Sequence, residues 1–200
     1  MMIEKTVETK CDKDVWQDFK REKSYALSYI YHQNIDFLFA YGKKFTSDEE
    51  LVLDVIQDLF CYLIEKRKQL GKAENIRMYL LKAFRRRLQK EIGKRHRERE
   101  LNNDLAIPTL EFTIEEEVIL EEEVEEKQNE IRRGLKKMKS QQQEALYYRF
   151  SCGMDYEQVS GVMEISVVLA RQLVSRGVNV LRKHMKESGF IFFLFNWKKF

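Results

Sequence analysis

Side chains that can hydrogen-bond to nucleic-acid bases are concentrated in one segment near the C-terminal end of the chain. Arg171, Gln172, Ser175 and Arg176 recur at helical spacing and therefore share one face of a helix. Arginine can donate two hydrogen bonds to guanine, glutamine can pair with adenine, and serine can reach a phosphate or a base edge. The opposite face is apolar and carries Ala170, Val174, Gly177, Val178 and Leu181. The segment predicts an amphipathic helix whose polar side could read DNA.

Two shorter apolar-periodic helices precede this segment at the spacing of a helix-turn-helix. Gly153 separates the first two helices, and Glu164-Ile165-Ser166 separates the second from the third. We expect Ser166 to be the N-cap of the last helix. Because the N-terminal end of such a helix reaches deepest into the major groove, Val167 and Val168 join the candidate contacts. An ordinary amphipathic surface helix has the same periodicity, but the tight turns favour DNA binding.

A second basic and aromatic helix is expected from about Asn75 to Lys94. Nine lysines or arginines and only two glutamates lie between Lys82 and Arg99. Such a helix can hold phosphates, although a charge run can also be a solvated helix face. Tyr79 could stack on a base or be a half-buried core residue. The candidate contacts on this helix are Asn75, Tyr79, Lys82, Arg85, Arg86 and Lys90.

The composition favours an all-α protein with two small helical domains. The hydrophobic fraction is 44%, enough for buried cores, and one proline and eight glycines argue against a turn-rich β-sandwich or barrel. The net charge of +3 conceals a strong segregation, since residues 111–126 hold nine glutamates and no lysine or arginine. Three widely spaced cysteines indicate neither a disulfide framework nor a zinc site. With no signal peptide recognised at its start, we expect a soluble cytoplasmic protein.

Start signals and apolar stripes place the remaining helices. Ser47 to Glu50 predicts a capping box for a helix that runs to about Leu70. This helix has an apolar stripe and, on another side, a polar patch of Asp54, Gln57 and Asp58 that suits a basic partner. Two further capping boxes are predicted at residues 140–143 and 155–158.

Met138 through Arg182 resembles the C-terminal helix-turn-helix of bacterial RNA polymerase sigma factors of the extracytoplasmic-function type, which is group 4 of the sigma-70 family. The resemblance is carried by Gln142-Gln143-Glu144, Gly153, Tyr156-Glu157-Gln158-Val159, Ile165-Ser166 and Leu181-Arg182. The sequence departs from the family pattern at several positions. Lys139 stands in place of a proline, Glu164 in place of the turn glycine, Ala170 in place of a branched residue, and Gly177-Val178 where Ala-Arg is common.

The first part of the chain is similar to the N-terminal conserved domain of the same sigma factors. The similar segments are Tyr41-Gly42-Lys43-Lys44, Asp54 to Phe60, and Asn75 to Leu80. The resemblance covers residues 14 to 186. It implies that Asp54, Gln57, Asp58 and Phe60 bind the β′ clamp helices of core RNA polymerase. It also implies that the C-terminal domain meets the β flap, and an anti-sigma factor is a further possible partner.

The same resemblance assigns the two basic helices to the two promoter elements. Residues 65–94 would read and melt the −10 element, where exposed bases stack on aromatic rings and phosphates meet Arg or Lys. The contacts to the −35 element would come from Ser166, Val167, Val168, Arg171, Gln172, Ser175 and Arg176. The sequence predicts no cofactor, no metal, no catalytic residue and no small-molecule substrate.

The predicted domains are a region 2 bundle at 14–94, a linker at 95–128 and a region 4 helix-turn-helix at 129–187, followed by an apolar tail of unknown role at 188–200. The glutamate-rich part of the linker, residues 115–126, could imitate phosphate charge in the polymerase channel or simply keep the linker soluble. Two other classes of protein are open: a stand-alone helix-turn-helix regulator that dimerises on a palindromic site, and a membrane-associated adaptor that uses the aromatic tail.

Overall fold

A computed structural model describes residues 10–100 and 133–184 of the chain. Within these residues every regular element is helical, which confirms the predicted all-α class. The chain divides into two units, Met1–Pro108 and Thr109–Phe200. None of the described helices is both long enough and apolar enough to cross a membrane. The glutamate run of the predicted linker and the aromatic tail lie outside the described residues.

The first unit is a bundle of four helices: α1 (Asp12–Lys20), α2 (Ser24–Lys43), α3 (Glu49–Lys66) and α4 (Ile76–Glu100). Helices α2, α3 and α4 pack against one another, and α1 lies against α2 and α4. Large apolar side chains that recur at helical spacing fill the centre of the bundle. Those that are almost wholly buried are Trp16, Ile30, Leu38, Tyr41, Ile56, Leu59, Leu63, Leu80, Leu81 and Phe84.

Helix α3 begins one residue later than the capping box at Ser47 predicted, and it ends earlier. Asp48 is its N-cap, and the carboxylate accepts a hydrogen bond of 2.9 Å from the backbone N–H of Leu51. Asp48 also pairs with Arg95 of α4. The helix stops at Lys66 instead of near Leu70. Beyond Lys66 the chain makes one further turn, in which the N–H groups of Gln69 and Leu70 both bond to the carbonyl of Lys66, at 2.8 and 3.1 Å. Leu70 thereby becomes buried.

Helix α4 extends farther than the sequence indicated. It continues to Glu100 and so runs into the segment predicted as linker. Ile76, Leu80, Phe84 and Leu88 recur at helical spacing and face the interior of the bundle, whereas Ile92 is half-exposed.

The second unit contains α5 (Ser140–Leu146), a π-helical turn (Tyr147–Ser151), α6 (Tyr156–Met163) and α7 (Val167–His184). Residues 133–136 are also helical. Helices α5 and α6 both pack on α7. Tyr148 is buried and donates its hydroxyl proton to the buried carboxylate of Glu144 at 2.9 Å, so the π-helical turn has a polar interaction in its interior.

Two predicted capping boxes have different outcomes in this unit. The Asp155 carboxylate accepts from the N–H of Gln158 at 2.7 Å, and the Gln158 side chain accepts from the N–H of Asp155 at 3.0 Å, which confirms that box. The second capping box was predicted with Ser140 as the N-cap, but the N-cap is Lys139, one residue earlier. Lys139 precedes the helix, and its N–H donates to the side chain of Gln142 at 3.1 Å.

Candidate DNA-binding surfaces

Helix α7 presents a polar stripe to solvent because its apolar side chains pack inward. Ser166 is the N-cap, as predicted, since its Oγ accepts from the N–H of Leu169 at 3.2 Å. The buried residues of the helix are Ala170, Leu173, Val174, Gly177 and Leu181. Gly177 permits the close packing, because a Cβ at this position would lie 2.8 Å from Cδ1 of Leu146 in α5.

The structure brings the predicted −35 contacts together on one exposed surface at the start and middle of α7. Arg171, Gln172, Ser175 and Arg176 are all exposed, and Val168 is 65% exposed. Val167 is half-buried. Leu169, which the sequence analysis did not single out, is also exposed at 37%. This surface, residues 166–176 without the buried Ala170, Leu173 and Val174, is called the α7 face below.

Two arginines converge on one tyrosine ring beside the α7 face. The guanidinium carbon of Arg171 lies 5.2 Å from the ring centroid of Tyr156, and that of Arg149 lies 5.0 Å from the same centroid. Both distances fall within the range of cation–π attraction. Arg149 also donates to the carbonyl of Met154 at 2.7 Å. The ring of Tyr156 therefore holds Arg171 in place at the edge of the face.

The turn before α7 requires a backbone conformation that glycine adopts most easily. Glu164 has φ 59° and ψ 43°, which is left-handed. The sequence departs from the sigma-factor pattern at this position, where the family has glycine. The helix-turn-helix geometry is thus kept with a residue that costs more in this conformation.

In the first unit, the predicted −10 contacts do not all reach solvent. Arg86 and Lys90 are exposed on α4, and Lys82 is half-exposed. Arg85, also a candidate contact, is only 9% exposed and so does not lie on the exposed side of α4. Asn75 is exposed, but its side-chain oxygen accepts from the N–H of Met78 at 2.9 Å and so caps α4.

Tyr79 is partly a core residue and partly accessible for stacking on a base. It is half-buried, and its ring packs on the fully buried Trp16 with 4.7 Å between centroids. Burial raises the pKa of Tyr79, and Tyr62 adds to the shift while Arg87 opposes it. Its phenol therefore stays neutral at physiological pH, with part of the ring still accessible.

Sequence reasoning missed Tyr62 and Arg87, which lie beside Tyr79. Tyr62 on α3 is 42% exposed, and the guanidinium carbon of Arg87 on α4 lies 4.5 Å from its ring centroid. The sequence feature that could have identified Tyr62 is its position: it is an aromatic residue directly before Leu63, which belongs to the buried apolar stripe of α3, and so it lies outside that stripe. Together these residues offer an exposed ring next to positive charge.

Three of the four polymerase contacts predicted on α3 form an exposed patch, whereas the fourth is buried. Asp54, Gln57 and Asp58 are exposed. Phe60 is only 5% exposed, and its ring packs against Tyr31 with centroids 5.0 Å apart. The adjacent Leu53 is 50% exposed and adds apolar surface to the patch.

Comparison with known proteins agrees with the helix-turn-helix reading of the second unit. The profile of the family described as "Sigma-70, region 4" matches residues 128–181. The chain is similar to the structure of the sigma factor RpoE in complex with the anti-sigma factor NepR from Bartonella quintana, with TM-score 0.58 and 20% identity over 84% of this chain and 96% of that one. It is also similar to CnrH in complex with the cytosolic domain of CnrY, with TM-score 0.58 and 14% identity over 86% of this chain and 95% of that one.

A search of curated protein sequences gives no match. The family profile and the fold shared with these two structures confirm the resemblance to sigma factors that the sequence motifs indicated.

Proposed function

We propose that this protein is a sigma factor of the sigma-70 family that binds core RNA polymerase, recognises the −35 element of promoters with its second unit and melts the −10 element with its first. The observation that carries the proposal is the α7 face, an exposed stripe of DNA-reading side chains within the segment that matches sigma-70 region 4. The family acts in transcription initiation and is not known for catalysis, so the reaction is performed by the polymerase.

The −35 role follows from the chemistry of the α7 face. Arg171, Gln172 and Arg176 can donate in pairs to base edges in the major groove. Val168 offers an apolar contact to a thymine methyl group from the first turn of the helix. We assign backbone contact to Ser166 and Val167, because the N-terminal end of a helix attracts phosphate.

The −10 role rests on the exposed basic side of α4 and the rings beside it. Lys82, Arg86 and Lys90 supply positive charge for phosphates of a separated strand. Tyr62 and the accessible part of Tyr79 supply surfaces on which unpaired bases can stack. Stacking on such rings is worth about 1–3 kcal/mol per base, which favours the single strand over the duplex.

The polymerase role is assigned to Asp54, Gln57 and Asp58 of α3, with Leu53 at their side. Acidic and amide groups on a rigid helix complement a basic partner such as the β′ clamp helices, and the apolar Leu53 adds buried area on binding. The second unit meets the β flap. Because RpoE and CnrH are each found with a partner protein, we include an anti-sigma factor among the partners, and we place the protein in the cytoplasm with the polymerase.

Run-off transcription tests the proposal directly. Purified core polymerase is supplied with fragmented genomic DNA, with and without this protein. New start sites that share two spaced upstream elements would support the sigma-factor function and identify the promoter. If no new transcripts form but specific duplex binding persists, the protein is a stand-alone helix-turn-helix regulator.

A further inference from the structure

Helix α1 directs three side chains at the loop between α3 and α4, residues 67–75. Asp12, Trp16 and Lys20 follow one another at a spacing of four residues and therefore share one face of α1. The indole N–H of Trp16 donates to the carbonyl of Gly71 at 2.9 Å, and the Lys20 ammonium donates to the carbonyl of Leu70 at 2.5 Å. The Asp12 carboxylate accepts from the N–H of Ile76 at 2.7 Å.

The three bonds fix the backbone on both sides of the loop. Two of them hold the turn at residues 70 and 71, and the third holds the point where the loop enters α4. Just beyond α1, Glu22 pairs with Arg67 at 3.1 Å at the other end of the loop. Trp16 also stacks on Tyr79 of α4, so one buried ring supports both the loop and the first turns of α4.

The loop has few anchors of its own. Leu70 and Ala73 are its buried side chains, whereas Lys68, Gln69, Lys72 and Glu74 are exposed. Gly71 has no side chain to anchor the loop and adds backbone freedom because it lacks a Cβ. The order of this loop therefore depends on the donors and the acceptor that α1 supplies.

We propose that α1 is a brace that holds the α3–α4 loop ready to bind single-stranded DNA, with Asp12, Trp16 and Lys20 as positioning residues. This inference rests on the proposed −10 function. The exposed side of the loop carries Lys68 and Lys72 and leads directly into the basic side of α4. A loop ordered before binding spares the complex the entropy that ordering would cost, so loosening the brace weakens binding without removing any residue that touches DNA.

The test compares variants of the full-length chain that differ at the brace. Lys20→Met removes the donor to Leu70 and keeps the aliphatic stem, whereas Lys20→Arg restores a donor. Lys13→Met removes the same charge from an exposed position of α1 and is the matched control. Trp16→Phe removes the donor to Gly71 without any change of charge.

Two measurements are made on each variant. Hydrogen–deuterium exchange reports the order of residues 67–75, and fluorescence anisotropy reports affinity for a labelled single-stranded oligonucleotide of random sequence. We expect Lys20→Met and Trp16→Phe to speed exchange in the loop and to weaken single-strand binding several-fold. Lys20→Arg and Lys13→Met are expected to show the same loop exchange and the same single-strand affinity as the parent protein.

The two measurements separate the possible failures. Unchanged loop exchange in both Lys20→Met and Trp16→Phe overturns the brace. Faster exchange with undiminished single-strand binding shows that the brace does not serve DNA binding, and this also overturns the inference. A parent protein that binds no single strand refutes the proposed −10 function, while the exchange data still decide whether α1 holds the loop.

Discussion

At the scale of single residues, a neighbouring ring restricts the side-chain freedom of one arginine on the α7 face. Arg171 is exposed, and a long exposed side chain normally samples many rotamers before it binds. Here the ring of Tyr156 lies 5.2 Å from its guanidinium carbon and restricts that freedom. The entropy lost when Arg171 meets a base is correspondingly smaller.

Replacing both Arg171 and Arg176 with alanine should weaken binding to a −35 duplex. Each good bidentate contact to a base is worth about 1–3 kcal/mol, so the double change should reduce affinity at least tenfold, or roughly 1.4 kcal/mol. Binding to core polymerase should stay intact, because neither arginine belongs to the polymerase contacts proposed on α3. Anisotropy with duplex DNA and with polymerase measures the two affinities, and an equal loss in both would refute the assignment.

Tyr156→Leu should weaken the same duplex binding through Arg171, without any change of charge. An exposed cation–π contact is worth about 0.5–1 kcal/mol, so a loss of about two- to fivefold is expected. Tyr156→Phe keeps the ring and should bind as the parent does. Because no charged group is removed, the slope of affinity against salt concentration should stay the same. A shallower slope would indicate that Arg171 contacts a phosphate and loses that contact when the ring is removed.

At the scale of helices, the sequence predicted the stripes well and the ends poorly. Apolar residues that recur every three or four positions in the sequence identify the buried sides of α3, α4 and α7. Phe60 was misplaced although it follows Ile56 by four residues and therefore shares its buried stripe. Arg85 follows the buried Leu81 in the same way. Both errors could have been avoided by weighing position on the helix above residue type.

Other features could not be read from the sequence, because they depend on contacts between distant segments. The end of α3 at Lys66 depends on the burial of Leu70 and on the donors that α1 sends to the loop. The convergence of Arg149 and Arg171 on Tyr156 joins three elements of the second unit. Neither follows from local propensity, since the interacting residues are far apart in the chain.

Gly42→Ala should destabilise the first unit. A Cβ at Gly42 would lie 2.6 Å from Cγ1 of Val52 and 3.2 Å from Cζ of Phe84, and both side chains are fully buried. Overpacking of this kind costs about 1–3 kcal/mol, which exceeds the gain of roughly 1 kcal/mol in helix propensity.

Gly93→Ala is the matched control, since a Cβ there meets no atom of the described residues within 4 Å. It should be neutral or stabilising by up to about 1 kcal/mol. Thermal unfolding of the two variants measures the difference. If Gly42→Ala is as stable as Gly93→Ala, the close packing of α2 on α3 and α4 is wrong.

Asp18→Asn should lower stability at neutral pH but have a smaller effect in acid. Lys10 and Lys23 pair with this nearly buried carboxylate at 2.7 and 2.8 Å, and Tyr25 donates a further hydrogen bond. These partners hold the pKa of Asp18 well below its ordinary value near 3.8. A lowered folded-state pKa stabilises the protein above the ordinary pKa, and this contribution is lost as the pH falls toward the folded value.

Urea unfolding at about pH 6 and about pH 3 measures this effect, because the gap between the parent and Asp18→Asn should narrow at the lower pH. A gap that is equal at both values would show that the carboxylate contributes by packing and not by charge.

At the scale of the whole molecule, the two surfaces proposed to bind DNA lie on two separate units. The basic side of α4 belongs to the first unit, and the α7 face belongs to the second. One is suited to a separated strand through charge and stacking, and the other is suited to the edges of paired bases. Under the proposed function, the chain recognises a promoter by two elements at once, so the distance between the elements becomes part of the recognition.

Changing that distance by half a helical turn should therefore strongly reduce promoter activity. An insertion of about five base pairs between the −35 and −10 elements turns the −35 major groove to the opposite side of the duplex, since one turn spans about 10–10.5 base pairs. With polymerase holding the first unit at the −10 element, the α7 face would then meet the wrong side of the DNA. Run-off transcription from the altered promoter should fall to the level given by the Arg171→Ala and Arg176→Ala double variant on the original promoter. Transcription that tolerates the insertion would show that the second unit does not read duplex DNA while the first is engaged.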